Sequence, residues 1–249
     1  MKEFFETLDP TVLLLFTGAA AFLALLSVLF SIFVGVPVGI GMMRWFSRTR
    51  EGGDPSKIGL LFSLFKKESY LPSIGASLWM QLWLFLWSLP SIALLAVGTT
   101  LIALPGVFTG AVAVAGVAFL APGIVCLVLG LAALFLPIVK GYAYRMNPWI
   151  LADNPRIGYQ RALKLSIAMT DHQKLDMFVL DLSFIGWFLL GFLLCCVGVL
   201  GVPPYVNATF SELYHLLKQD SIQRGESTME EFGYSLVTET PAFTGDATA

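Results

Sequence analysis

The chain has 249 residues, of which 57 % are hydrophobic and 13 % charged, with a formal net charge of −2. A soluble domain carries charge on about a quarter of its residues, and a nucleic-acid-binding protein leaves a basic stripe; the composition argues against both classes. Between Tyr70 and Lys140 lie 69 consecutive residues without Lys, Arg, Asp or Glu, and uncharged blocks also run from Pro10 to Met43 and from Leu182 to Ser211. Because about 20 apolar residues cross a hydrocarbon core, the sequence predicts an all-α fold. It reads as a polytopic helical membrane protein of about 5 to 7 spans with short amphipathic interfacial helices.

Met1 to Pro10 carries Glu3, Glu6 and Asp9 against Lys2. A secretory signal starts basic and ends a short apolar core at a small-residue site, so Thr11 to about Met43 reads as a retained span. Its end, Gly35-Val36-Pro37-Val38-Gly39-Ile40-Gly41, combines a helix-kinking proline with glycines that admit a neighbouring helix. Arg44, Arg48 and Arg50 stop the span. Asp54-Pro55 then forms an N-cap followed by proline at the first helical position. Ile58, Leu61, Phe62 and Phe65 recur at helical spacing beside Lys57, Lys66 and Lys67, which predicts over 55–67 a short helix lying in the membrane interface, though the same face could equally pack on the protein.

The central block carries Trp79, Trp83 and Trp87 on one helical stripe, and Pro90, Pro105, Pro122 and Pro137 punctuate it. Two long spans with a turn near Leu104-Pro105-Gly106, or three short ones, both fit its length. Arg44–Ser73 and Lys140–Asp176 hold six Lys or Arg each. Basic segments stay cytoplasmic, so an even number of crossings, two or four, should join them, with the N-terminus outside. After Asp153-Asn154-Pro155, Arg156, Gln160, Arg161 and Lys164 face away from Tyr159, Ala162, Leu163, Ser166 and Met169, the pattern of an amphipathic cytoplasmic helix.

Met177 to about Val197 reads as the next span. The glycines and prolines of 198–204 break it, and Tyr205–Lys218 resumes as a helix with Phe210, Leu213, Tyr214 and Leu217 on one face. The helical transmembrane domain is therefore expected over 1–218. Residues 219–249, polar and poor in aliphatics, should form a disordered acidic tail. Asp181 is the one formal charge between Asp176 and Glu212. An ionisable group inside a span normally faces the bundle and has a partner, and Lys140 is the candidate, with Arg145 the neighbouring alternative. Lying four residues into its span, Asp181 could instead meet water at the head-group level.

Several of these stretches resemble a known group. Tyr142-Ala143-Tyr144, Ile150-Leu151-Ala152-Asp153-Asn154-Pro155, Arg161-Ala162-Leu163-Lys164-Leu165-Ser166 and Leu180-Asp181-Leu182-Ser183-Phe184-Ile185-Gly186-Trp187-Phe188-Leu189-Leu190 follow its pattern. Pro204-Tyr205, Tyr214, Phe85-Leu86-Trp87-Ser88-Leu89 and the Gly-rich end of the first span extend the match. The chain thus resembles the domain-of-unknown-function 975 family of bacterial integral membrane proteins from about Phe33 to Lys218. It departs in carrying about forty extra apolar residues, roughly Ala96 to Phe135, and the first helix of longer relatives has no counterpart. The resemblance implies a bacterial plasma (inner) membrane, multi-pass location, with Lys140 at the family's basic position, and it supplies no reaction.

No metalloprotease, nucleophile-elbow or phosphate-loop motif occurs. His172 and His215 are isolated, and Cys126, Cys195 and Cys196 lie within apolar blocks. Neither an enzyme nor any catalytic, cofactor or metal residue is expected. The partners expected are the lipid bilayer and a membrane protein or second copy, with no nucleic acid. By elimination the sequence reads as a non-catalytic membrane accessory or scaffold component. The alternative is a small-molecule or lipid transporter using Gly/Pro-broken helices, since Gly35-Val36-Pro37 and Gly201-Val202-Pro203 interrupt apolar segments near opposite ends.

Overall fold

A computed structural model describes residues 10–107, 118–193 and 200–234, and among them the secondary structure is entirely helical. Helix α1 (Pro10–Phe30) passes through a π turn (Ser31–Gly35) into α2 (Val36–Arg50). A 3-10 helix (Ile58–Phe65) leads to the long α3 (Lys67–Val107), and then come α4 (Leu120–Ala133) and α5 (Phe135–Ala143). Short α6 (Asn147–Asp153) and amphipathic α7 (Tyr159–Met169) precede α8 (Lys174–Leu193) and α9 (Val202–Gln223), and a 3-10 turn (Glu230–Phe232) follows.

Four helical stretches of the described residues, Leu14–Arg50, Glu68–Ala103, Leu120–Asp153 and Lys174–Leu193, are long and apolar enough to cross a membrane. The all-α expectation holds, and the four stretches are compatible with a polytopic membrane protein. Helix α9 is not among these four. Its second half carries Glu212, Lys218 and Asp220.

Burial divides the molecule in two. The main core gathers Ile40, Leu64, Met146, Ile150, Phe210 and Phe232, from α2, the first 3-10 helix, α6, α9 and the C-terminal turn. Along α3 the buried apolar residues, Ile74 and Ala76, stop well short of Trp87. Beyond that level Leu89, Ile92 and Val97 on α3, and Ile124, Val128 and Phe135 on α4 and α5, are exposed. From Trp87 to Val107, α3 rises about 30 Å, the thickness of a hydrocarbon core.

The antiparallel pairing of α3 with α4 alternates glycine and leucine. A Cβ on Gly98 would lie 2.9 Å from Leu127, one on Gly130 2.9 Å from Leu95, and one on Gly123 2.8 Å from Ile102. Each bulky side chain thus fills the notch left by a glycine opposite, and the small residues let the backbones approach closely. This settles the central block as two antiparallel helices. The turn expected near Leu104-Pro105-Gly106 is helical through Val107, and residues 108–117, which join the pair, lie outside the described residues.

Two other expectations differ. The segment over 55–67 is a 3-10 helix from Ile58 to Phe65, with Leu64 fully buried and Ile58 and Phe62 exposed. It is held by α2, where a Cβ on Gly41 would stand 2.0 Å from the Leu61 carbonyl oxygen. The tail expected to begin at 219 is ordered for a further 16 residues, through Tyr234. The helix continues to Gln223, and Phe232 is fully buried. The apolar Phe232 and Tyr234, diluted among polar neighbours, anchor that stretch. The expected disorder of 235–249 and the cysteines Cys195 and Cys196 lie outside the described residues.

The glycine seam generates a prediction. Gly98→Leu and Gly130→Leu should each lower the melting temperature in detergent, at about 1–3 kcal/mol of overpacking. Gly18→Leu and Gly186→Leu, which open onto free space, should be neutral or stabilising, since helix propensity favours leucine over glycine by nearly 1 kcal/mol. Equal melting of all four variants would contradict the seam.

Candidate functional site

The short helix α6 organises the first of two charge centres. All its residues but Pro148 are buried, so its C-terminal carbonyls and Asp153 must find partners inside the protein. The Arg44 Nε–H donates to the Ala152 carbonyl at 2.5 Å, and its Nη1 donates to Ser63 Oγ at 3.0 Å. One guanidinium therefore ties α2, the 3-10 helix and the end of α6. A cation at a helix C-terminus also complements the helix dipole.

Asp153 receives two donors on one oxygen, Lys218 Nζ at 2.6 Å and Tyr214 Oη at 2.9 Å. The side chains of Asp153 and Lys218 are 1 % and 6 % exposed, so the pair is desolvated. Lys218 also lies 4.9 Å from the Phe232 ring centre and 4.3 Å from that of Tyr234, and donates to the Tyr234 hydroxyl at 3.2 Å. The Tyr234 hydroxyl donates in turn to Glu51. His215 Nε2 meets Ser47 Oγ at 3.0 Å, while Nδ1 stands 4.0 Å from Glu51.

Burial, with Asp153 beside it, holds the Tyr214 phenol well above the usual range, and burial with the Glu51 hydrogen bond raises Tyr234. Burial, then Arg50 and Lys218, lowers His215, keeping the neutral ring. A cavity of about 260 Å³ opens beside this network, bordered by Arg50, Glu51, His215, Lys218 and Tyr234. The network is a set of donors and acceptors matched to one another. Its chemistry is that of a lock joining α2, α6, α9 and the C-terminal turn.

The second centre joins the turn after α5 to α8. Arg145 grips Asp181 with both arms, Nη1 to Oδ2 at 2.7 Å and Nη2 to Oδ1 at 2.9 Å, and Tyr142 Oη donates to Oδ2 at 2.9 Å. The guanidinium also stacks 4.2 Å from the Phe210 ring centre. The structure therefore gives Asp181 to Arg145. Lys140, expected beside it, sits instead with its ammonium 4.5 Å from the ring centre of Trp87. Arg145 lies beyond the end of α5 at Ala143, where the chain turns, and its planar fork matches a carboxylate bidentately. A cavity of about 450 Å³ lies here, walled by Phe184, Phe188, Pro203 and Val206 and bordered by both charges.

A third feature is aromatic. Trp79 packs edge-on to Trp83 at 6.1 Å and to Tyr159 of α7 at 5.1 Å. The groove between α3 and α7, about 370 Å³, is lined by Trp79, Trp83, Trp87, Tyr144, Gln160 and Lys164, with Leu163 and Ile167 below. The amphipathic α7 was legible from its periodicity. Asp153, Tyr214 and Lys218 were not singled out as a set, since 61 and 65 residues separate the partners. The available signal was Lys218 flanking the apolar face of α9 beside Leu217.

Two expected outcomes follow. In detergent melts, Asp181→Asn and Arg145→Gln should couple, the double variant losing less than the sum of the singles, whereas Asp181→Asn and Lys140→Gln should add. The converse pattern would return Asp181 to Lys140. For pH, a lowered His215 binds its proton more weakly folded than unfolded. Its contribution is complete above the unfolded value of 6.5 and is lost as pH falls through its folded value. Glu231, lowered by its bonds to Arg161, adds a separate loss below 4.5. Melting temperature measured against pH should show both steps, and His215→Gln should remove only the upper one.

No curated protein and no solved structure matches the chain. A family model does, over residues 12–221, a span that takes in Asp153, Tyr214 and Lys218 of the first charge centre, all of the second and the aromatic groove. The chain belongs to the family described as "Protein of unknown function (DUF975)".

Proposed function

We propose that this protein is a non-catalytic component of the bacterial plasma membrane, an accessory or scaffold subunit whose first helix engages a span of a partner membrane protein. The observation that carries this is α1. Leu14, Leu15 and Phe16 are 66–72 % exposed, and Phe22 and Leu23 62–64 %. Residues at such different angles face outward together only when a helix stands clear of its own bundle. Its most apolar 18-residue window has no buried position. The buried charges, Asp153 with Lys218, and the half-buried Arg145 with Asp181 are matched internally, which suits a stable platform more than a reaction centre.

The basic segments of Arg44–Ser73 and Lys140–Asp176 put the packed half of the molecule on the cytoplasmic side. The paired α3 and α4 supply two crossings between them, the parity that this orientation needs. Transport by paired broken helices has less support. Pro37, after the π turn, is buried against the core, whereas Pro203 lines the Arg145–Asp181 cavity, so the two breaks do not share one site.

In intact cells, a photo-reactive phenylalanine analogue at Leu15 or Phe22 should yield a discrete protein adduct, with a cysteine at position 161 shielded from an impermeant thiol reagent added outside. Adducts to lipid alone would overturn the scaffold reading. An adduct to a second copy would replace the partner with self-assembly, and labelling of position 161 from outside would reverse the orientation.

A further inference from the structure

The groove between α3 and α7 combines three properties that occur together nowhere else among the described cavities. Its wall is a ladder of indoles, Trp79, Trp83 and Trp87, of which Trp79 meets Trp83 and Tyr159 edge-on. Its charged lining is cationic, with Lys164 among the lining residues and no carboxylate. Lys140 holds its ammonium over the Trp87 ring. Neither lysine has a carboxylate partner among the described residues, whereas Arg145, Arg156, Arg161 and Lys218 each have one. The neighbouring 450 Å³ cavity is different, because its Arg145 and Asp181 satisfy each other.

Depth supplies the rest. Trp87 and Lys140 stand at one height, the ammonium over the ring, and tryptophan and lysine collect at the head-group level of a bilayer. Leu82, Leu86, Leu89 and Ile92 are exposed along α3 on both sides of Trp87, an apolar track leading from the groove into the band of hydrocarbon thickness. A second concavity, bordered by Gly75, Leu78, Leu82 and Tyr159, shares Trp79 and extends the groove the other way.

We propose that this groove is a binding site for an anionic phospholipid, its phosphate-bearing head drawn by Lys140 and Lys164 and its acyl chains lying along the exposed face of α3. The indoles supply apolar contact for the glycerol and upper chain, and the ammonium groups supply the preference for negative charge. Tyr144 and Gln160 offer hydrogen-bonding groups to the ester region. This rests on the chain's place in a membrane and not on the scaffold role, so α1 cross-linking and lipid binding fail independently.

The test uses the full chain in a neutral detergent, with tryptophan fluorescence as the signal. Phosphatidylglycerol carrying a nitroxide near the top of one acyl chain should quench saturably, and more tightly than the matching phosphatidylcholine. Unlabelled phosphatidylglycerol should reverse the quenching, and inorganic phosphate should not. Lys140→Gln with Lys164→Gln should weaken the anionic lipid by about thirtyfold, at about fivefold per lysine, and leave phosphatidylcholine unchanged. The two arginine substitutions should restore the preference, which separates charge from folding. Equal quenching by both lipids, displacement by inorganic phosphate, or an equal loss from Lys57→Gln with Lys66→Gln, both exposed outside the groove, would overturn the site.

Discussion

The burial of α6 is the constraint on which the packed half of this protein depends. A helix of seven residues has almost no hydrogen bonds to spare, and here its end is enclosed by other helices. Enclosure is tolerable only because Arg44 reaches the Ala152 carbonyl and because Lys218 and Tyr214 meet the Asp153 carboxylate. Each of these donors comes from a different part of the sequence from α6. The interaction therefore fixes the placement of α2 and α9 as well as that of α6. Removing one partner of a desolvated pair strands the other, a loss of about 3–5 kcal/mol, so the three elements hold together or fail together.

The same donor set explains why the chain stays ordered past α9. Lys218 has three protons to place, and Asp153 together with the Tyr234 hydroxyl takes two of them. The rings of Phe232 and Tyr234 face the ammonium. Arg161 of α7 adds a two-armed bond to Glu231 and a third contact at the Glu226 carbonyl. The C-terminal turn is thus bound by α9, by α7 and, through Glu51, by the end of α2. A polar composition that looks solvent-seeking in isolation becomes structural once these cations are in place.

What was legible in the sequence follows from which interactions are local. Uncharged blocks and helical periodicity depend on neighbours within a turn or two, so the all-α class, the long helices and the apolar face of α7 with Ala162, Leu163, Ser166 and Met169 could be read directly. Pairing across the fold could not. Nothing local distinguishes Lys140 from Arg145 as a partner for Asp181, because the choice turns on where the chain bends after Ala143 and on the fork geometry of a guanidinium. Asp153 and Lys218 are separated by 65 residues, and the local pattern of each segment says nothing of the other. The order of 219–234 was hidden because two aromatic residues outweigh a polar surrounding only when a cation awaits them.

The two halves of the molecule solve opposite problems, and the boundary between them concentrates the chemistry. In the packed half the apolar core is enclosed and the buried charges are matched, so specificity comes from polar bonds. In the other half helices expose apolar side chains, and specificity comes from shape, as Gly98, Gly123 and Gly130 accept Leu127, Ile102 and Leu95. A polar residue at the boundary has two environments available, the bundle or the head-group layer. Arg145 and Asp181 take the first, each completing the other. Lys140 and Lys164 stand beside aromatic rings without a carboxylate partner among the described residues, as the second would require. Arg145, Arg161 and Lys218 thus spend their charge on carboxylates of the chain, while the two lysines beside the indoles of α3 keep theirs for a group from outside, which is the asymmetry that the proposed lipid site uses.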